Sequence, residues 1–116
     1  MMSRKKIVII DDEEDLCHLM ERYFLELNHD VFLANTLGSG LSLIKEVSPD
    51  VVFIDNNLPD GLGWEKMSYL REKYPHCRIN LISAFEYLPP DLKDRENNIV
   101  TILEKPLRLN TLKDYL

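Results

Sequence analysis

Five short, largely apolar runs punctuate the 116-residue chain: KIVII (6–10), VFLA (31–34), VVFI (51–54), INLIS (79–83) and IVTIL (99–103). A strand that is apolar at nearly every position has no face for water, so runs like these predict strands buried on both sides. Helical patterns separate them. Leu16, Leu19, Met20, Tyr23, Phe24 and Leu27 form one apolar stripe. Leu37, Leu41, Ile44 and Val47 form a second, with Thr36 placed to cap it and Ser48-Pro49 to stop it. Trp64, Met67, Leu70 and Tyr74 form a third, stopped before Pro75. Pro89-Pro90 then breaks the chain, and DLKDREN offers only a short polar helix. Leu109, Leu112 and Leu116 begin a last helix that the chain ends inside, so it reads as incomplete. Strands alternating with helices give βα units and a parallel sheet with helices on both faces, a doubly wound α/β fold. Ligands of such folds sit outside the carboxyl ends of the strands, where strand order reverses.

Composition narrows the function. The length suits one domain, residues 1–116. A net charge of −6, with RKK near the start as the only basic cluster, argues against a nucleic-acid surface. No apolar run approaches a membrane span, and IVII runs straight into DDEED, unlike a signal peptide. Cys17 and Cys77 lie far apart without zinc-ligand spacing, which points to a reducing, cytoplasmic setting.

The strand ends carry the chemistry. The first run leads into Asp11-Asp12, the third ends at Asp55, the fourth at Ser83, and the fifth at Glu104-Lys105. Parallel strands bring these tails to one edge. Clustered carboxylates repel unless a cation resolves the conflict, and Mg²⁺ suits a site with few carboxylates that keeps waters for phosphate oxygens. Metal, carboxylate, hydroxyl and lysine together are what phosphoryl transfer needs, and a carboxylate can itself be the nucleophile.

IVIIDDEEDL, VVFIDNNLPDGLGWE, LISA and ILEKPL, in that order, resemble the receiver domain of two-component response regulators across essentially the whole chain. That resemblance implies a CheY-like, flavodoxin-like sheet of order 2-1-3-4-5. It implies Asp55 as phosphoacceptor, Asp12 as direct Mg²⁺ ligand, Asp11 reaching the metal mainly through water, and Asn57 giving its backbone carbonyl. Ser83 takes the place of the switch hydroxyl and Lys105 pairs with a phosphate oxygen. Pro106 follows the lysine, at a position often cis in the family. The implied partner is a histidine kinase or phosphotransfer protein. Homodimerisation would use the family's face of helix four, strand five and helix five.

Some positions depart from the family. Ile102 stands where an aromatic switch residue is usual. Asn57 and Phe85 occupy the two positions that tune phosphate lifetime, Asn57 able to orient water and Phe85 able to shield. Two competing readings share the motifs: a receiver that acts as an interaction module without phosphorylation, and a haloacid-dehalogenase-like phosphohydrolase. The latter commonly places a second Asp two residues after the nucleophile, where this chain has Asn57. Taken singly, His18, His29 and His76 read as surface residues, Trp64 as partly buried packing, and Cys17 as off the stripe with no role. Asn56 has no assigned role.

Overall fold

Each apolar run forms a strand, and the helical stripes fall between them. The computed structural model describes residues 3–84 and 100–116. In chain order the elements are β1 (Lys6–Ile10), α1 (Glu14–Glu26), β2 (Asp30–Ala34), α2 (Leu37–Val47) and β3 (Val51–Asp55). A two-stranded hairpin of β4 (Asn57–Leu58) and β5 (Gly61–Leu62) follows, then a 3-10 turn (Gly63–Lys66) leading into α3 (Met67–Lys73). β6 (Arg78–Ser83), β7 (Val100–Glu104) and a 3-10 segment (Leu109–Tyr115) complete the described chain. Phe85, the Pro89-Pro90 pair and DLKDREN lie outside the described residues, and with them the helix-four part of the expected dimer face.

The five long strands pair in parallel in the order β2-β1-β3-β6-β7, which is the expected 2-1-3-4-5. Side chains alternate across the sheet as the pleat requires. Val8, Ile10, Val52 and Ile54 pack under α2 and α3 with Leu37, Ile44, Met67 and Leu70. Ile7, Ile9, Val51 and Phe53 face the other way, against Cys17, Met20 and Phe24 of α1 and Leu112 near the end of the chain. Among the described residues no helix is long and apolar enough to cross a membrane.

Three local expectations change. On α1 the fully buried stripe is Cys17, Met20 and Phe24, whereas Leu19 is 52% exposed. Apolar residues at 16, 17, 19, 20, 23, 24 and 27 cover a broad arc, and packing against Phe53 chose the side nearer Cys17. His29 is buried, not on the surface: its Nδ1 accepts the Lys5 amide at 3.1 Å and its ring meets the edge of Phe24. Burial holds its pKa below the usual imidazole value, so the acceptor lone pair persists at neutral pH. The last segment is 3-10, tied down from β6, where Arg78 Nη1 donates to the Asp114 and Leu116 carbonyls and Asn80 Nδ2 to the Tyr115 carbonyl.

α2 begins as its sequence predicts. Thr36 Oγ1 accepts the Ser39 amide at 3.1 Å in a capping box, and Ser48 ends the helix in a left-handed conformation with φ of 50°. Gly40 sits on the inner face, where an added Cβ would lie 2.5 Å from Ile10 Cδ1 and 2.8 Å from its Cγ1 and Cγ2. Ile10 is wholly buried and has nowhere to go. Gly40→Ala is therefore expected to destabilise the domain by about 1–2 kcal/mol in urea unfolding, overpacking outweighing a helix-propensity gain of about 1 kcal/mol.

Candidate functional site

Register fixes which side chains meet. Ile10 pairs with Ile54, so Asp11 and Asp55 are the next residues along on adjacent strands. Asp55 in turn pairs with Ile82, and Ser83 pairs with Glu104, so Ser83 lies one step further along and Lys105 two. The Lys105 amide donates to the Ser83 carbonyl at 2.9 Å, and the Asn56 amide to the Ile82 carbonyl at 2.7 Å, which carries the ladder past the strand ends. The sheet thus delivers Asp11, Asp55, Ser83 and Lys105 to one edge, as the strand-end reading expected.

One carboxylate oxygen each from Asp11, Asp12 and Asp55 lie within 4.8 Å of one another. Asp11 and Asp55 are buried and Asp12 is exposed. Lys105 Nζ reaches into the group, 3.5 Å from Asp11 Oδ2 and 3.6 Å from Asp55 Oδ2. Its shortest contact, however, is Glu13 Oε1 at 2.8 Å. Ser83 is fully buried. Asn57 is exposed and starts β4, its amide 3.4 Å from Asp55 Oδ1, so the chain turns back over the acid immediately after it. The Lys105-Pro106 peptide bond is cis. Ile102 is half-buried and packs with the core under α2 and α3. Phe85 lies outside the described residues.

The electrostatics follow from crowding. Burial, then the neighbouring Asp11 charge, pushes the Asp55 pKa from 3.8 to about 6, with Lys105 and the Asn57 amide only partly offsetting them. Burial also raises Asp11, against the opposing pull of the Glu13 amide and Lys105. Burial alone would lower Lys105, but the carboxylates of Glu13, Asp11 and Asp55 outweigh it and leave its pKa raised. The lysine is therefore charged, and one positive charge faces three acids it cannot neutralise.

A divalent cation fits that surplus. Asp11 Oδ2 is buried with no hydrogen-bond partner among the described residues. Asp11, Asp12 and Asp55 supply the hard oxygen donors such an ion prefers.

Several contributors were not apparent from the strand ends. Glu13 was visible only as part of an acidic run, and its bond to Lys105 depends on a lysine 92 residues away. Asn56 proves structural: its carbonyl accepts the Gly63 amide at 2.8 Å and its Oδ1 the Trp64 amide at 3.0 Å, which starts the turn into α3. Gly63 must lack a side chain, because a Cβ there would sit 2.7 Å from the Asp55 carbonyl oxygen. Asp60 accepts the Leu37 and Gly38 amides at the start of α2, and Asn35 donates to the Asp11 carbonyl. Cys17 also has a role after all, its Sγ lying 3.2 Å from that same carbonyl. Burial, with the Asp11 charge next, pushes the Cys17 thiol up to about 11, so it remains a donor.

A doubly wound parallel sheet with an acidic cluster and a lysine at its carboxyl edge defines a class of α/β proteins. Comparison with known proteins places the chain within it. The family model of the response regulator receiver domain matches residues 7–116. The response regulator protein PilR of Pseudomonas aeruginosa is 27% identical over 115 residues, covering 99% of this chain and 26% of that protein. The chain thus spans about a quarter of that relative. A CheY-like receiver domain protein from Methanospirillum hungatei superposes with a TM-score of 0.86 at 21% identity, over 97% of this chain and 90% of the other. A response regulator from Burkholderia pseudomallei, solved with a phosphorylated aspartic acid, a calcium ion and citrate, gives 0.79 at 20% identity, over 97% and 66%. The chain belongs to the response regulator receiver domain family of two-component signalling.

The raised Asp55 pKa has a sign. A carboxyl held at about 6 in the fold and 3.8 when unfolded favours the folded state most when protonated. That contribution is complete below about pH 4 and is lost as pH rises through about 6. At neutral pH the ionised Asp55 therefore costs about 3 kcal/mol. Asp55→Asn is expected to raise the melting temperature at pH 7, with the gain shrinking as pH falls toward 4. Thermal unfolding across that range, without divalent cations, checks it. A gain that does not vary with pH would show that ionisation is not its source.

Proposed function

We propose that the domain accepts a phosphoryl group on Asp55 from a histidine kinase or phosphotransfer protein and changes conformation in response. The observation that carries this reading is the placement of Asp55: buried, destabilised by Asp11, and 3.6 Å from the charged end of Lys105. A carboxylate so held is rigid, poorly hydrated and aimed at a ready counter-charge. The Burkholderia pseudomallei response regulator, solved with a phosphorylated aspartic acid and a calcium ion, supports the same assignment.

An Asp55 carboxylate oxygen forms the new P–O bond as the P–N bond of a phosphohistidine breaks, and the imidazole leaves with the bonding pair. Asp11, Asp12, Asp55 and the Asn57 carbonyl would hold Mg²⁺, which when bound neutralises charge on the phosphoryl oxygens. Lys105 moves from Glu13 toward the added phosphoryl charge. Ser83, one register step beyond Asp55, donates its hydroxyl to a phosphoryl oxygen. Both residues sit at the ends of β6 and β7, and the shift in conformer population that follows their movement constitutes the signal. The protein acts only on its own carboxylate and is not an enzyme toward other substrates. Two free, buried cysteines accord with a reducing, cytoplasmic setting.

Incubation with Mg²⁺ and acetyl phosphate is expected to add one phosphoryl group, read by intact mass. Asp55→Asn should abolish the adduct and Lys105→Ala should slow its formation. No adduct on the wild-type chain would overturn the reading in favour of an interaction module that works without phosphorylation. Sustained turnover of a phosphate ester would instead favour a phosphohydrolase.

A further inference from the structure

The acidic site is assembled from two chain segments, and both are anchored to the same corner of the fold. The first is the turn after β1, which carries Asp11 and Asp12. The peptide between these residues is held by its carbonyl oxygen, which accepts Asn35 Nδ2 at 2.9 Å and lies 3.2 Å from Cys17 Sγ. The Asp11 amide donates to the Ala34 carbonyl at 3.0 Å. With both ends of that peptide environment fixed, the directions in which the Asp11 and Asp12 side chains leave the backbone are fixed as well.

The second segment is the β4–β5 hairpin, which starts at Asn57, two residues after the acceptor. Its turn carries Asp60, whose Oδ1 accepts the Leu37 amide at 2.7 Å and whose Oδ2 accepts the Gly38 amide at 2.9 Å. Those amides open α2 and point out of its first turn, where a carboxylate is favoured by both hydrogen bonding and the helix dipole. The helix already has a cap of its own in Thr36. Asp60 therefore does more than finish a helix end: it clamps the far end of the hairpin to α2. Asn57 pairs with Leu62 across that hairpin, so the clamp reaches the segment lying over Asp55.

Residue 35 holds the first segment and residues 37 and 38 the second, so both anchors lie within the one corner where β2 leads into α2. We propose that the β2–α2 corner is a brace that sets the cation geometry, with Asn35 and Asp60 as positioning residues that never touch the ion. The inference rests on the cation reading above. Hydrogen bonds one layer outside a metal's ligands typically govern affinity by about 10–100-fold, because they decide how much the ligands must rearrange on binding. Asn35 directly follows β2 and Asp60 lies in the hairpin turn, and both are exposed, so neither is held in place by core packing.

The test is a Mg²⁺ titration of the full chain, followed by Trp64 fluorescence and by calorimetry, for wild type, Asn35→Ala, Asp60→Ala and Asp60→Asn. Each alanine variant is expected to keep its fold by circular dichroism and to weaken Mg²⁺ binding about tenfold. Asp60→Asn, which retains one acceptor for an α2 amide, should recover part of the loss. Thr36→Ala supplies the comparison for helix stability alone: it should lower the melting temperature and leave Mg²⁺ affinity unchanged. Unaltered affinity in both alanine variants, whatever their melting temperatures, would overturn the brace while leaving the cation site standing. Equal weakening by Thr36→Ala would also overturn it, by assigning the effect to a loosened α2. A wild-type chain that does not bind Mg²⁺ would overturn both the brace and the cation reading.

Discussion

Repulsion between Asp11 and Asp55 organises this molecule. The two carboxylates leave adjacent parallel strands at the same level, in a place that water barely reaches. Nothing about such a pair favours folding: burial and mutual charge both push the Asp55 pKa up to about 6. The stability to hold them comes from elsewhere, from a sheet whose central strands β1 and β3 are apolar and almost completely buried. The site is thus a region of stored electrostatic cost, supported by the core beneath it. Anything that supplies positive charge there lowers that cost and is drawn to it.

Lys105 meets part of that demand, and the way it does so is informative. Its ammonium lies closer to the exposed Glu13 than to either buried aspartate. A lysine seated fully between Asp11 and Asp55 would already have satisfied the site. Held partly to one side, it offsets the charge of the two aspartates only in part. The residues around the site act on backbone: Gly63 lets the 3-10 turn approach the Asp55 carbonyl, Asn56 starts that turn, and Cys17 and Asn35 hold the Asp11 carbonyl.

Much of this was legible in the chain. Five continuous apolar runs admit little besides a parallel sheet covered on both sides, and the acids, hydroxyl and lysine that end them can only gather at its carboxyl edge. Helix faces were harder to read. The α1 stripe is broad enough that periodicity could not choose between Leu19 and Cys17, and only contact with Phe53 decided. His29 gave no local sign of burial, since its acceptor bond is made to the start of β1, 24 residues away. The 3-10 form of the last segment depends on Arg78 and Asn80, which reach across from β6 to its carbonyls.

What the sequence by itself determined is the class of fold and the chemistry at the strand ends, because both follow from short-range pattern: the period of the apolar residues and the residue that ends each run. What only the tertiary structure decided is which of many polar groups support that chemistry. Asn35, Asp60 and Glu13 are ordinary surface residues in the linear chain. Their roles come from hydrogen bonds and ion pairs spanning 22 to 92 positions, and such pairings exist only once the sheet has set its register.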